Sequence, residues 1–379
     1  MPPGFAEIPP YVERLLTGAG GTALPGLPER ADRVVVLLLD AFGKTFLERY
    51  GDDHPVLRRL LRDGAVCDLD SQFPSTTTAH VTTMHTGLPV GRHGLYEWNV
   101  FEPAVGRVIT PLRFAFAGDR EADTLRSEHL DARDLLPAEP SFYERLAAAG
   151  VVPLVYQPDT FSPSTYDVAA TRGADLRPYA SLQGAVREAI RSVSALERGY
   201  AYVYFHGIDL AGHLAGPSSA AFDDAVRYAL DAVEGALAEV SAPGTLLLVT
   251  ADHGQIDVDP AQTLWLDELH PPLARLDLRP AGSARDVFLH VPEADVESTV
   301  AALGDHAEVH AVADLLADGA FGPDPGPRLL ERLATVCVLP PPGHMAWLRW
   351  ASDLARDFRG HHGGRTPEET RTYLAALEL

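Results

Sequence analysis

The chain has 379 residues, which is enough for one large domain with an insertion or for two ordinary domains. Its 46% hydrophobic and 22% charged residues exclude an intrinsically disordered protein. The formal net charge of -22 argues against a nucleic-acid polymer as the main partner, because such binding needs clustered Lys and Arg. A small phosphate ester remains compatible with this charge.

Residues 1–16 contain no basic segment followed by an apolar one, and no apolar run approaches the roughly 18 residues that a membrane span needs. We therefore expect a cytoplasmic protein without a membrane partner. Cys67 and Cys337 cannot form a disulfide framework and lack metal-knuckle spacing, so we expect small buried residues at both positions. The sequence does not indicate an oligomeric state.

Three unbroken apolar runs are typical of strands buried on both faces of a parallel sheet. An acid follows each run, and in such folds ligands bind beyond the carboxyl ends of the strands. We therefore expect the three acids to lie together at one edge of a sheet. The runs at 33–39, 200–205 and 245–250 are followed by Asp40, Asp209 and Asp252.

Apolar residues recur at helical spacing over 182–193 and 226–237. Strands that alternate with such helices predict an α/β sandwich with a mostly parallel central sheet and helices on both faces. A Pro- and Gly-rich stretch interrupts this alternation and predicts a small α+β cap insertion. We place the catalytic core at 1–257 and 344–379 and the cap at 258–343, with cap strands at 286–291, 309–312 and 334–339 and a helix at 296–303.

Residues 73–88, FPSTTTAHVTTMHTGL, combine a Pro-Ser turn, three threonines and a helical stretch that ends at Thr86-Gly87. A hydroxyl would thereby lie at a helix N-terminus, where free N–H groups and the helix dipole favour a phosphate. By itself, such a segment is more often a simple helix cap.

Two further segments pair an acid with a histidine. In GIDLAGHLAG, Asp209 and His213 are four residues apart, so that on one helical turn both could bind the same cation. In ADHGQ, Asp252 and His253 follow a core strand. Each segment alone is a weak signal, because turns after strands often contain Asp and Gly for backbone reasons.

The segment FRGHHGGRTPEE (358–369) places His361 and His362 before two glycines, which permit close approach of the backbone to a ligand. Other histidines lie near these segments, and we expect them to be structural or to orient the ligands. They are His80, His85, His93 and His206.

The order and spacing of these residues resemble the alkaline phosphatase superfamily, and within it the type I phosphodiesterase/nucleotide pyrophosphatase branch. The resemblance implies two zinc ions, and carboxylate-rich sites also accept manganese. His362 is chosen over His361 because it directly precedes Gly363-Gly364, as in the family's His-Gly pattern. The implied ligands are Asp209, His213 and His362 for one ion, and Asp40, Asp252, His253 and a threonine hydroxyl for the other.

The resemblance also implies a threonine nucleophile at the start of a helix that ends in a Thr-Gly pair. Counting ten residues back from Gly87 gives Thr77. Thr76 is the alternative, because it aligns His80 with the Asn-His of the diesterase helix. The stretch GLPVGRHGLYEWN (87–99) resembles a diesterase pattern in which an Asn amide holds a phosphoryl oxygen, which makes Asn99 the candidate for that role.

The implied reaction is hydrolysis of a phosphate ester through a covalent phosphothreonine. We expect small phosphodiesters or nucleotide pyrophosphates as substrates; the alternative is a phosphomonoesterase or phosphonate hydrolase with the same two-zinc site. A monoesterase also needs a cationic side chain for the second negative charge, and Lys44 and Arg92 are the nearest candidates. A metal-binding scaffold without catalysis is a third hypothesis, against which the complete ligand set argues.

Overall fold

The computed structural model describes residues 2–351 and 357–379, and its central element is a seven-stranded sheet. The strands in chain order are β1 (Arg33–Leu39), β2 (Ala65–Asp70), β3 (Val100–Glu102), β4 (Arg107–Thr110), β5 (Ala115–Phe116), β6 (Val152–Pro158), β7 (Asp175–Tyr179), β8 (Gly199–Phe205), β9 (Thr245–Thr250), β10 (Ile256–Asp257), β11 (Leu264–Trp265), β12 (Ala281–Ser283), β13 (Asp286–Leu289), β14 (Glu308–Ala311), β15 (Val336–Leu339), β16 (Ala346–Trp347), β17 (Gly360–His361) and β18 (Arg371–Glu378).

The central sheet has the spatial order β2-β18-β9-β1-β8-β6-β7. The pairs from β9 to β7 are all parallel, and β18 runs antiparallel to both of its neighbours. The mostly parallel sheet expected from the sequence is therefore confirmed. The three apolar runs become the adjacent strands β9, β1 and β8, so that the acids after them meet at one edge.

Helices cover both faces of this sheet, as predicted. The α-helices are α1 (Ile8–Thr17), α2 (Lys44–Tyr50), α3 (Pro55–Asp63), α4 (Thr77–Thr86), α5 (Val90–His93), α6 (Phe142–Ala148), α7 (Thr165–Ala170), α8 (Leu182–Ser194), α9 (Gly207–Ala215), α10 (Ala220–Ala238), α11 (Leu266–Leu269), α12 (Val296–Leu303), α13 (Val312–Ala317), α14 (Pro327–Arg332) and α15 (Pro367–Thr370). None of the helices in the described ranges is long and apolar enough to cross a bilayer.

The residues of β1 show why helices are needed on both sides. Val35, Leu37 and Leu39 pack against α2, α3, α8 and α10 on one face. The alternate residues of the strand pack against α1, α4 and α6 on the other face. Because successive side chains of a strand point to opposite faces, an unbroken apolar strand is stable only when both faces are covered.

A second sheet lies within the predicted cap. Its four strands have the order β12-β13-β15-β14 and are all antiparallel. The helix expected at 296–303 is α12, and the three expected cap strands are β13, β14 and β15 within a few residues of their predicted bounds. The boundaries proposed between core and cap stay a prediction.

The burial of His85 in α4 predicts how acid destabilises this fold. Its Nδ1 lies 2.7 Å from the Tyr143 hydroxyl, and burial lowers the pKa of His85 from 6.5 to about 3. Below pH 6.5 the unfolded chain binds a proton at His85 that the folded chain does not bind. Because of this residue, the free energy of unfolding falls by about 1.4 kcal/mol for each unit by which the pH is lowered.

We therefore expect the free energy of unfolding of His85→Gln to fall less steeply on acidification than that of the wild type, by about 1.4 kcal/mol per pH unit between about pH 6 and pH 4. Urea unfolding at a series of pH values measures both slopes. Equal slopes in the two proteins would contradict a neutral, buried His85.

Candidate active site

Two groups of carboxylates and histidines lie side by side at the carboxyl ends of β1, β8 and β9. In each group, one possible ligand atom from every side chain lies within 4.8 Å of the others. The rings of His253 and His362, one from each group, stack with their centroids 3.8 Å apart. The first cluster is Asp40, Asp252 and His253, and the second cluster is Asp209, His213 and His362.

The first cluster is built by two neighbouring strands. Asp40 directly follows β1, and the next residue, Ala41, has a left-handed backbone with φ of 61°. This conformation directs the Ala41 N–H to Asp252 Oδ1 at 3.1 Å, beyond the end of β9. The Tyr204 hydroxyl, on β8, donates to Asp40 Oδ2. Asp40 and Asp252 are thereby oriented before any cation binds.

The second cluster depends on α9, which begins directly after β8. Asp209 and His213 lie one turn apart on this helix, as their spacing predicts. Gln255 Nε2 donates to Asp209 Oδ1 at 2.6 Å. A Cβ at Gly212 would lie 1.7 Å from Gln255 Oε1, so only glycine at that position lets Gln255 reach the carboxylate.

A backbone carbonyl fixes the tautomer of each histidine in the two clusters. A carbonyl oxygen only accepts hydrogen bonds, so the ring nitrogen beside it must carry the proton. In all three rings this nitrogen is Nδ1, so Nε2 is the atom that is left to bind a cation. The bonds run from His213 to Gly360 (2.9 Å), from His253 to Gly254 (3.1 Å) and from His362 to Ser75 (2.9 Å).

The Nε2 atoms of these rings face carboxylate oxygens. His213 and His362 approach Asp209 Oδ1 at 3.4 and 3.6 Å. His253 Nε2 lies 3.6 Å from Asp40 Oδ1 and 3.4 Å from Asp252 Oδ2. Lone pairs at these distances repel one another unless a cation or a proton lies between them.

The shifted pKa values of the clustered side chains are a second indication of a possible cation site. Burial is the main cause that raises the pKa of Asp40 well above its usual value, and the negative charges of Asp252 and Asp209 raise it further. Burial lowers the pKa of His253 to about 4 and that of His362 well below its usual value. Asp252 Oδ2 is buried without a hydrogen-bond partner. Neutral imidazoles with buried carboxylates are a donor set that fits zinc, and manganese is also compatible.

Thr77 places a hydroxyl beside the first cluster. It is the first residue of α4, and its Oγ1 lies 3.2 Å from His253 Nε2 and 3.4 Å from each carboxylate oxygen of Asp40. Thr76 and Thr78 are buried, whereas Thr77 is partly exposed. Among the three consecutive threonines, the arrangement therefore favours Thr77 as the group that meets a substrate.

Ser75 links this threonine segment to the second cluster, a connection that the sequence analysis did not predict. Its carbonyl accepts the Nδ1–H of His362. Its hydroxyl donates to the carbonyl of Gly364 at 2.9 Å and accepts from the Gly363 N–H at 3.2 Å. His80 in turn donates from Nδ1 to the Thr76 carbonyl at 2.6 Å. The spacing of these residues gave no signal for the bonds.

Other candidates from the sequence lie outside the two clusters. His361 Nδ1 lies 2.9 Å from the carbonyl oxygen of His362 and 3.0 Å from its backbone nitrogen, and the residue pairs with Ile256 between β17 and β10. The Asn99 amide nitrogen donates to the carbonyl of Gly282 at 3.3 Å, while its oxygen accepts from Thr110 at 2.8 Å. In the structure, Asn99 therefore joins the core to β12. Its proposed contact with a phosphoryl oxygen stays a prediction.

Lys44 and Arg92, the two cationic side chains nearest the candidate site in the sequence, form ion pairs with other carboxylates. The Lys44 ammonium donates to Asp68, and Arg92 lies 3.6 Å from Glu139 on the surface. Within residues 2–351 and 357–379, no Lys or Arg forms an ion pair with a carboxylate of either cluster.

A third group, His54 with Asp231 and Glu234, has similar composition but different chemistry. The Val56 N–H donates to His54 Nδ1 at 3.3 Å, so Nε2 carries the proton and donates to Asp231 at 3.0 Å. Its Nε2 is therefore not left to bind a cation, unlike those of the two clusters, which makes His54 a suitable control in metal-binding experiments.

A family model matches residues 34–365 and is described as type I phosphodiesterase/nucleotide pyrophosphatase. Among solved structures, murine ectonucleotide pyrophosphatase/phosphodiesterase 5 is 16% identical, with a TM-score of 0.70 over 90% of this chain and 87% of that one. An inactive form of the murine protein in complex with AMP is 15% identical, with a TM-score of 0.65 over 91% and 87%.

Phosphonoacetate hydrolase from Sinorhizobium meliloti in complex with phosphonoacetate is 15% identical, with a TM-score of 0.65 over 94% of each chain. At such identities these likenesses show a shared fold. No curated protein matches the sequence.

The repulsion inside the clusters predicts that divalent cations stabilise the protein. We expect zinc to raise the melting temperature, with about 2.7 kcal/mol of stabilisation per site at a hundredfold excess over Kd. Elemental analysis should find two ions per chain in the wild type and fewer in Asp252→Asn. His54→Ala should keep the wild-type metal content. A melting temperature that zinc and a chelator leave unchanged would contradict this.

Proposed function

This chain belongs to the type I phosphodiesterase/nucleotide pyrophosphatase family, and we propose that it hydrolyses small phosphodiesters or nucleotide pyrophosphates at the two clusters. The observation that carries the proposal is the position of the Thr77 hydroxyl, between Asp40 and His253 at the start of α4. The Thr77 oxygen is a possible nucleophile that lies beside a possible cation site and at the N-terminus of a helix.

We assign one zinc ion to each cluster, with manganese as the alternative cation. Bound there, the cations would lower the pKa of the threonine hydroxyl and neutralise charge on the phosphoryl oxygens. The first cluster would hold the ion nearer the nucleophile, because Thr77 Oγ1 lies 3.4 Å from Asp40 and 3.2 Å from His253.

Thr77 attacks the phosphorus with its side-chain oxygen, and its hydroxyl proton leaves to solvent. The new bond from phosphorus to Thr77 forms as the bond to the leaving oxygen breaks, which gives a phosphothreonine. Water then attacks this phosphorus on the side that the leaving group vacated, and the bond from phosphorus to Thr77 Oγ1 breaks. Protons from solvent restore the Thr77 hydroxyl and neutralise the leaving oxygen. The first N–H groups of α4 have no partners within the helix and favour the negative charge of the phosphoryl group.

Charge balance favours a diester or a pyrophosphate as the substrate. A phosphodiester carries one fully charged oxygen, whereas a monoester dianion needs a further cationic group, usually Arg or Lys. Lys44 and Arg92 pair with Asp68 and Glu139, and neither forms an ion pair with a carboxylate of the two clusters. The AMP complex of the murine relative also favours a nucleotide ligand.

The proposal keeps Asn99 as the amide that holds a phosphoryl oxygen. Its side-chain nitrogen has two N–H groups, and Gly282 uses one of them in the part of the chain that the structure describes. The cytoplasmic location expected from the sequence stays a prediction.

The position of Thr77 predicts that Thr77→Ala lowers kcat by at least about ten-thousandfold, since the nucleophile is lost. Thr76→Ala is the matched control: it removes a buried hydroxyl one residue earlier and should have a much milder effect. Steady-state kinetics measure both variants, with melting temperature and metal content measured on the same samples. If Thr76→Ala is the inactive variant and Thr77→Ala keeps near-normal rates, the assignment is wrong.

The substrate class is tested by comparing kcat/KM for bis-p-nitrophenyl phosphate, p-nitrophenyl phosphate and phosphonoacetate. We expect the diester to be preferred, because no further cation of the described chain meets the clusters. A monoester preference above about a hundredfold, roughly 2.7 kcal/mol of transition-state discrimination, would contradict this substrate class. Faster turnover of phosphonoacetate than of the diester would instead support the phosphonate hydrolase alternative.

A further inference from the structure

A buried ion pair connects the cap sheet to the segment that carries His362. Arg285 lies in the turn between β12 and β13, and its guanidinium donates to both oxygens of Glu369 at 3.0 and 3.1 Å. The side chains are 2% and 0% exposed. Such a two-bond pair fixes the orientation as well as the distance of the carboxylate.

Arg285 is also fixed on its other side. Its Nη1 donates to three backbone carbonyls of the segment after β15, those of Pro340 (2.9 Å), Pro341 (2.7 Å) and His344 (2.9 Å). The guanidinium therefore has little freedom to move relative to the cap sheet. Through the ion pair, the position of Glu369 is tied to the cap.

Glu369 passes this constraint on to the segment that follows His362. Its Oε1 accepts the N–H of Gly364 at 2.9 Å, and its Oε2 accepts the N–H of Thr366 at 3.3 Å. The carbonyl of Gly364 accepts from Ser75 at 2.9 Å. A Cβ at Gly364 would lie 2.7 Å from Glu369 Oε2 and 2.8 Å from Arg285 Nη2, so the contact is possible only with glycine.

We propose that Arg285 is a positioning residue for the second cluster, and that it sets the place of His362 through Glu369 and the backbone of Gly364. The inference rests on the proposed function, since it takes His362 to be a metal ligand. It makes the cap a part of the metal site. Partners outside the ligand set typically change metal affinity by about 10–100-fold, and we expect an effect of this size from Arg285, which acts through Glu369 and Gly364.

The chain contains a matched control for this pair. Arg332 of α14 donates to Glu102 of β3 at 2.7 and 3.1 Å, with exposures of 2% and 8%. It also donates to the carbonyl of Leu135 at 3.1 Å. This pair joins cap and core with similar burial and geometry, but its bonds do not reach either cluster.

The test compares Arg285→Lys with Arg332→Lys in the full-length protein. Lysine keeps the charge but cannot form two parallel bonds to a carboxylate. We expect both variants to have a lower melting temperature. In zinc titrations against a chelator, Arg285→Lys should bind one of its two ions about 10–100-fold more weakly, while Arg332→Lys keeps both wild-type affinities. Excess zinc should restore most of the kcat of Arg285→Lys.

Should Arg285→Lys not fold, Glu369→Asp answers the same question with Glu102→Asp as its control, because the shorter side chain cannot hold Arg285 and Gly364 together. Wild-type zinc affinities in a folded Arg285→Lys or Glu369→Asp would overturn the inference, and so would equal weakening in the matched control. A wild-type protein that binds no ions would contradict the proposed function itself, and the inference with it.

Discussion

The concentration of negative charge at the carboxyl edge of the central sheet is the constraint on which the rest of the site depends. Asp40, Asp209 and Asp252 meet there, and the Nε2 lone pairs of the clustered histidines face their oxygens at 3.4 to 3.6 Å. Burying carboxylates without a cation is costly. A divalent cation at either cluster would offset this cost, and until one binds the surrounding backbone must hold the side chains apart.

Backbone carbonyls orient the three histidine rings of the clusters. Those of Gly254, Gly360 and Ser75 each accept an Nδ1–H, so the lone pairs of all three rings point the same way, toward the carboxylates. These carbonyls belong to three separate segments, which means that the orientation of the rings depends on the packing of the whole sheet edge. Ser75 lies two residues before Thr77 and accepts the Nδ1–H of His362, so it links the proposed nucleophile to a proposed metal ligand.

The cap is tied into the same arrangement. Two buried ion pairs, Arg285 with Glu369 and Arg332 with Glu102, cross from the cap to the core. Removing one partner of such a pair leaves an uncompensated buried charge, which commonly costs about 3–5 kcal/mol. The cap is therefore poorly suited to fold or to move as an independent unit, in spite of its separate sheet.

Three of the seven central strands and the six proposed metal ligands could be predicted from the sequence alone. The runs at 33–39, 200–205 and 245–250 are almost entirely apolar, as expected of strands covered on both faces, and an acid follows each run within four residues. Other strands had no such signal. β18 contains three alanines or threonines among its core positions and takes its place between β9 and β2 through long-range antiparallel pairing. No local pattern specifies that position.

The neighbours of the site residues could be identified only from the tertiary structure. Thr76, Thr77 and Thr78 are the same residue type. The backbone of Thr76 is extended (φ -134°) just before the first turn of the helix, and of the three hydroxyls it is that of Thr77 that faces the first cluster. Tyr204, Gln255 and Arg285 carry no sequence signal, since each reaches its partner across the fold. Local spacing specifies residues that share a helix turn or a strand end, whereas hydrogen bonds between distant segments depend on how the elements pack.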